Sequence, residues 1–384
     1  MDSDDMNGLD NIRAEIDGID DELAKLLKRR IALADAVADA KRGSGKSVAD
    51  PAREREILTR VTEGASPDDE RALRLAFSTF FGISKARQRE QLIGDTSIIR
   101  EMDAAVRERF PTKAVVACAG TEGSFAQQAA SLIFPIPTIL YFNGFEKVFE
   151  AVEKGLCPYG VLPIENSAAG SVSAVYDLMQ SHRFHIVRSV RLKIDHVLLA
   201  PHGVKLEDVR EIISHPHALA QCSLFLKRHP DVTATPASNT AVAAKGLASS
   251  GRREAAVIAS RSCADLYGLN VLEESITDVS FNYTRFICIA KDLDIYPDAD
   301  RFSLMMSLPH RPGALNQIIA KFAAIDVNLT KLESRPLPGH DFEFNFVFDF
   351  EADPRNAAVR SLLSELSTDP EIERFSFLGA YAEK

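Results

Sequence analysis

Arg30 and Lys41 stand eleven residues apart in a strongly helical pattern. At about 100° per residue that spacing returns to the same face, about 16 Å further along. Two long cations leaning toward each other can bracket a small dianion, and the arginine fork suits carboxylates. Arg13 lies seventeen residues before Arg30, about 25 Å away on one helix. It cannot touch the same small ligand from the same chain. If Arg13 is also a ligand group it must come from a second chain, which predicts an intertwined dimer. Asp50-Pro51 then gives a helix start, Asp as N-cap and Pro at the first helical position. Arg53 and Glu54 fall in its first turn, near Lys41. A further helix from Ser66-Pro67 carries the apolar stripe Leu73, Phe77 and Phe80, which continues as Ser84 and Gln88. One polar residue there reads as a solvated helix end; two in succession point to a lined polar pocket.

The element that must hold Arg30 is a helix with a heptad seam: Leu9, Ile12, Ile16, Ile19, Leu23, Leu26, Arg30, Leu33, Val37 and Ala40. Arg30 is the polar member, read either as a snorkelling edge residue or as a guanidinium held inside a bundle. The Gly45-Lys46-Ser47 that follows looks like the end of a phosphate-binding loop. That loop needs a glycine where Ala40 stands and a buried strand leading in, where a helix leads instead. Residues 43–47 are therefore expected to be a turn between two helices.

The chain of 384 residues suggests two to four domains. Its net charge of -10 argues against non-specific nucleic-acid binding. Cys118, Cys157, Cys222, Cys263 and Cys288 are scattered without CxxC spacing, as expected of reduced thiols in a cytoplasmic protein. No signal peptide, membrane span, metal motif or cofactor motif is apparent. Three textures divide the chain: all-helical to about residue 97, alternating strands and helices over 112–291, and strand-helix-strand-strand-helix-strand over 299–384.

In the middle segment, "KAVVACAG" reads as a buried strand and "GTEGSFAQQAA" as a glycine turn into a helix. Small polar clusters follow strand ends at Glu165-Asn166-Ser167, Ser214-His215-Pro216 and Ser238-Asn239-Thr240. Ligands of open α/β sheets bind at such ends, although helix capping accounts for any one cluster. In the last segment, "DFEFNFVFDF" alternates phenylalanine with polar residues, except Val347. That is a strand with one apolar face. The order of elements suggests a ferredoxin-like sandwich.

Arg13, Arg30, Lys41, Asp50, Arg53, Glu54, Ser84 and Gln88, with "LLKRR" and "DPAREREIL", resemble the all-helical chorismate mutases. The resemblance implies that Arg13, Arg30 and Arg53 hold substrate carboxylates. It places Lys41 and Gln88 at the ether oxygen, and Glu54 with the Asp50 backbone at the hydroxyl. "GTEGSFAQ", "PIENSAAGSV", "SHPHALAQC" and "NYTRF" resemble prephenate dehydratase, which implies two α/β lobes similar to periplasmic binding proteins. It makes Thr284 the leading catalytic residue, with Asn166, Ser167, Ser214, Gln221, Thr240 and Arg285 lining or supporting the site. Glu165 is an alternative acid if burial raises its pKa, while His215 reads as a turn histidine. Thr121 and His217 depart from the family pattern, which usually has proline and glutamine there. "RPGALNQI" and "KLESRP" resemble the ACT regulatory domain of these dehydratases. This implies phenylalanine binding at Gly313, Ala314 and Leu315, flanked by Glu333, Ser334 and Arg335.

Together the three segments are similar to the bifunctional chorismate mutase/prephenate dehydratases. The resemblance implies conversion of chorismate to prephenate and then phenylpyruvate, inhibition by phenylalanine, no cofactor, and a homodimer or larger assembly. Two rivals stand beside it: a dehydratase with a helical dimeriser, and an ACT-containing amino-acid sensor.

Overall fold

The computed structural model describes residues 3–42, 48–93, 96–337 and 343–384. The turn expected at 43–47 and the first two residues of the alternating run, 341–342, lie outside them.

The helical segment comprises α1 (Ser3–Lys41), α2 (Pro51–Thr62), α3 (Pro67–Ile93) and α4 (Ser97–Ala104). Next come β1 (Lys113–Ala119), α5 (Phe125–Ile133), β2 (Ile136–Phe142), α6 (Phe145–Glu153), β3 (Tyr159–Asn166), β4 (Gly170–Ser171), α7 (Ser173–Met179) and β5 (His185–Lys193). They are followed by β6 (Val197–Pro201), β7 (Glu211–Ser214), α8 (Pro216–Gln221), α9 (Ser223–Arg228), β8 (Thr233–Pro236), α10 (Thr240–Ser250), β9 (Ala255–Ala259), α11 (Ser262–Tyr267), β10 (Leu269–Glu273) and β11 (Tyr283–Ala290). The last segment is β12 (Arg301–Ser307), α12 (Ala314–Ala324), β13 (Leu329–Pro336), β14 (Phe344–Glu351), α13 (Ala357–Thr368) and β15 (Arg374–Glu383).

Two compact units result. One groups residues up to Arg100 with Leu308–Val327 and Arg355–Phe375; the other groups Glu101–Ser307, Asn328–Pro354 and Ser376–Lys384. In the first, α1 packs on α3 through Leu27, Ile31, Ala34, Asp35 and Ala38, all buried or half-buried. Ala34 and Ala38 let the helices approach closely, and Asp35 pairs with Arg87 at 2.8 Å. The heptad seam is a different face. Leu9, Ile12, Ile16, Ile19, Leu23, Leu26, Leu33 and Val37 are each 41–62% exposed. Arg30 sits on the border of the two faces. Asp50 caps α2, accepting from Arg53 N at 3.0 Å, and Ser66 caps α3, accepting from Asp69 N at 3.2 Å. At the far end of α3, Arg89 forms a buried ion pair with Asp369 at 2.8 Å. Burial opposes the Asp369 charge, but Lys321 and Arg89 outweigh it and hold the carboxyl below its usual range.

The second unit contains two sheets. The larger runs β13-β14-β12-β15-β5-β11-β3-β1-β2, with β4 on β3; the smaller runs β10-β6-β9-β7-β8. Both are mixed. β1 is parallel to β2 and β3, whereas β11 is antiparallel to β3 and β5. On β11, Ile287 and Ile289 join one apolar core while Phe286 and Cys288 join another, so both faces are covered. That explains the unbroken apolar run "FICIA". The last segment contributes four strands in the order β13-β14-β12-β15, and β15 also pairs in parallel with β5. Gly379 on β15 has φ 148°, and a Cβ there would lie 2.2 Å from the Ile186 carbonyl oxygen. Glycine is required where these backbones meet.

The alternating run behaves differently from its expected apolar and polar faces. Asn345, Val347 and Asp349 on β14 are all buried. Val347 joins the core with Ile287 and Ile289, and Asn345 donates to Gln180 at 2.7 Å. The polar alternates thus face protein rather than solvent. All five cysteines are buried and free. Among the described residues no three metal-ligating side chains gather, and no helix is long and apolar enough to cross a membrane.

Candidate active sites

The helical constellation is built where α1 crosses α3. Arg30 donates to the Phe80 carbonyl at 2.8 Å and to Ser84 Oγ, and lies near the Phe80 and Phe81 rings. Burial lowers its pKa, but a guanidinium remains charged here. One turn on, Gln88 is 8% exposed; its Nε2 donates to Ser84 O at 3.2 Å, and its Oε1 has no partner among the described residues. Glu54 on α2 pairs with Lys85 on α3 at 3.2 Å. Lys41 Nζ donates to Val48 O at 3.0 Å. A half-buried cation with a buried amide alongside is suited to an anionic, oxygen-rich ligand.

Other expected members stand apart. Arg13 is exposed and pairs with Asp10 at 3.4 Å, far along α1 from Arg30. Arg53 is turned to Glu56 at 2.6 Å and is half-exposed. Asp50 uses its carboxylate as the α2 cap and its carbonyl accepts from Glu54 N at 3.0 Å, so both are spent on starting the helix. Lys85 escaped sequence reading because it flanks the stripe rather than continuing it.

The second constellation lies at the junction of the two sheets. Asn166 Oδ1 accepts from the backbone N–H groups of Ala168 and Ala169 at 3.0 and 2.8 Å. These donors fix the amide orientation, so Nδ2 is the donor on the other side. It donates to Thr284 Oγ1 at 2.9 Å and to Asn282 Oδ1 at 2.7 Å. Since Thr284 Oγ1 accepts from Asn166, its own O–H is available to a ligand. Gln221 Nε2 reaches Asn166 Oδ1 at 3.5 Å, and Gln221 Oε1 contacts His196 Nε2 at 3.1 Å. Burial lowers the His196 pKa, which favours the neutral ring. Asn239, which caps α10 ahead of Thr240, lies against Gly120, where a Cβ would come within 2.9 Å of its amide nitrogen. The start of α10, with Thr240, therefore lies against the turn that follows β1. Sequence reading passed over Asn282 and His196; Asn282 sits inside the "NYTRF" motif.

Several expected residues take other places. Thr284 is paired in register with Asn166, and Arg285 with Glu165. Alternation along a strand turns successive side chains to opposite faces. Glu165 accordingly meets Lys331 at 2.7 Å, not the junction, and cannot point an acid at a ligand beside Thr284. Arg285 is 7% exposed and its guanidinium is taken up by Asp349, on the face of β11 away from Thr284. Ser214 is fully buried and donates to the Ile258 carbonyl at 2.6 Å, inside the smaller sheet. Ser167 clasps the chain before β11, donating to Phe281 O at 3.1 Å and accepting from Tyr283 N at 2.9 Å. His215 caps α8 through Nδ1 and stacks on His217.

The expected effector residues divide. Gly313, in the left-handed region at φ 84°, precedes α12, with Ala314 buried and Leu315 half-buried at its start. That conformation excludes most other residues. On β13, Glu333 accepts from Ser171 at 2.7 Å and Arg335 pairs with Asp177 at 2.6 Å. Both point toward β4 and α7, while the intervening Ser334 is exposed. The period of two sets this split, which a contiguous triplet could not reveal.

Comparisons with known proteins match both segments. The family model for chorismate mutase type II matches residues 12–89, and that for prephenate dehydratase matches 116–293. The arogenate dehydratase/prephenate dehydratase 2 of Arabidopsis thaliana is 39% identical over 65% of this chain and 68% of its own length. The solved structure of prephenate dehydratase from Arthrobacter aurescens, in complex with L-Phe, is similar at TM-score 0.64 and 33% identity. It covers 70% of this chain and 89% of that one. The bifunctional chorismate mutase/prephenate dehydratase of Escherichia coli K12 is 30% identical over 98% of this chain and 96% of its own length. With both constellations on one polypeptide and that end-to-end match, the chain belongs to the bifunctional chorismate mutase/prephenate dehydratase family.

Proposed function

We propose that the helical segment, residues 1–97, rearranges chorismate to prephenate at Arg30, Ser84 and Gln88. Residues 112–291 then convert prephenate to phenylpyruvate at Thr284. Residues 299–384 act as an ACT regulatory domain responding to phenylalanine, in a cytoplasmic enzyme. The observation that carries the reading is the Asn166-to-Thr284 hydrogen bond on the same chain as the Arg30–Ser84 pair.

The first reaction is a Claisen rearrangement, which needs no nucleophile. Arg30 holds a substrate carboxylate, and cations with the Gln88 amide stabilise charge developing on the ether oxygen. Gln88 Nε2 uses one N–H on Ser84 O and has a second to offer that oxygen. In the second reaction the bond to the ring carboxylate breaks, its electron pair enters the ring, and carbon dioxide leaves. The ring hydroxyl departs as water, taking a proton that solvent finally supplies. Thr284 O–H, oriented by Asn166, is the donor that meets the departing oxygen. Gln221 and Thr240 border the same junction.

The exposed α1 seam supports a second copy across it, which would bring its Arg13 to the partner's Arg30. Ile16→Glu with Ile19→Glu buries two carboxylates in such a seam. The variant is expected to lose mutase activity and one level of assembly by light scattering while keeping dehydratase activity. Full mutase activity in it would sink the shared site.

The deciding experiment incubates purified protein with chorismate and follows chorismate, prephenate and phenylpyruvate, with and without phenylalanine. Phenylpyruvate formation that falls on adding phenylalanine is the expected result. Untouched chorismate refutes the mutase assignment, and prephenate accumulating alone refutes the dehydratase assignment.

A further inference from the structure

The strands that carry Asn166 and Thr284 are held from behind by the last segment of the chain. Behind Thr284, Arg285 donates to Asp349 Oδ2 on β14; the side chains are 8% and 4% exposed. Asp349 Oδ1 accepts from Ser303 Oγ on β12 at 2.6 Å, and Ser303 meets the Tyr381 hydroxyl on β15 at 2.8 Å. Behind Asn166, Glu165 is paired with Lys331 on β13, which also donates to Ser171 on β4 at 2.8 Å. Both members of the Thr284–Asn166 pair are therefore flanked in sequence by a residue gripped from β13 or β14.

The β3–β11 ladder is irregular immediately after Arg285: Arg285 pairs with Glu165, and Phe286 with Pro163. A bulge weakens the ladder's own hold on register at that point. On its other edge β11 keeps regular register with β5 from Tyr283 to Cys288, so the irregular edge is the one that carries Asn166, and there a buried carboxylate that engages both Arg285 and Ser303 holds the residue next to Thr284. Burial opposes the charge on Arg285 and Asp349 more than offsets it.

We infer that Asp349 is a positioning residue for the dehydratase, setting Thr284 against Asn166 through Arg285. This rests on the reading of Thr284 as proton donor. It assigns the last segment a part in the reaction itself, with or without an effector.

The test measures prephenate turnover and chorismate turnover by the full chain. Asp349→Asn keeps the shape and removes the charge. It is expected to lower kcat for prephenate by about tenfold to a hundredfold, the cost of a small misplacement, with KM within about twofold and mutase activity unchanged. Asp349→Glu is expected to recover part of the loss. Arg285→Met with Asp349→Leu removes both charges and leaves none buried alone, so it decides the matter should Asp349→Asn fail to fold. A double variant with wild-type kcat would make the pair mere filling and overturn the proposal, as would a rise in KM with kcat unaltered. Thr284→Ala is assayed in parallel. If it stays active, the Thr284 reading fails; if it is inactive while Asp349→Asn is normal, only the positioning role fails.

Discussion

Arg30→Ala is expected to lower kcat/KM for chorismate by about a thousandfold, the upper end of what removing one preorganised donor costs. Prephenate turnover in the same preparation should stay at the wild-type value. The size follows from where the charge sits. Arg30 is half-buried between α1 and α3, fixed by the Phe80 carbonyl and Ser84, so it is aimed before any ligand arrives. In a reaction without covalent catalysis, that aim is most of what the protein can contribute. The helix should survive the change, because Ala34, Ala38 and the Asp35–Arg87 pair still join α1 to α3. Arg30→Lys keeps the charge but not the fork, and should recover only a small part. A variant that keeps a tenth or more of the mutase activity would remove Arg30 from its role, and parallel loss of both activities would refute separate sites.

Thr284→Ala is the converse. Removing a positioned proton donor costs about 10²–10⁴ in rate, so chorismate should be consumed normally while prephenate accumulates. Thr284→Ser retains the hydroxyl and should keep measurable turnover, reduced because serine lacks the methyl group that restricts its rotamer. Among the described residues, alanine also leaves the Asn166 Nδ2 with Asn282 Oδ1 and the Tyr283 carbonyl as acceptors, at 2.7 and 3.4 Å. The prediction is checked by resolving chorismate, prephenate and phenylpyruvate in a single time course. Near-normal phenylpyruvate formation by the alanine variant would mean that another group delivers the proton.

The sequence was most informative where periodicity and chemistry coincide. The Asp50 cap, the helix start at Ser66 and the continuation of an apolar stripe into Ser84 and Gln88 are one-dimensional patterns, and each reappears in the structure, whereas the α1 seam is an exposed face and α1 packs on α3 through another. Residue motifs were less reliable about direction. "PIEN" and "NYTRF" bring Asn166 and Thr284 together, yet their neighbours Glu165 and Arg285 point the other way. A motif names adjacent residues, whereas a strand deals them to opposite faces. The same rule separates Glu333 and Arg335 from Ser334. Val347 was a legible hint in retrospect: an apolar residue among polar alternates marks a second buried face. Lys331 and His196 carried no signal, because their partners lie far away in the chain.

The parallel pairing of β15 with β5 has a consequence for how the protein was assembled in evolution and is assembled in synthesis. The last segment of a chain is commonly pictured as a cassette that can be exchanged. Here the sheet runs without a break from β14 through β12 and β15 into β5 and β11, and β15 follows β5 by about 190 residues, a pairing of high contact order. The catalytic sheet cannot be closed on its edge until that distant strand has docked, with Gly379 marking the seam. A graft of that segment from a relative must therefore carry the seam residues on β5 as well.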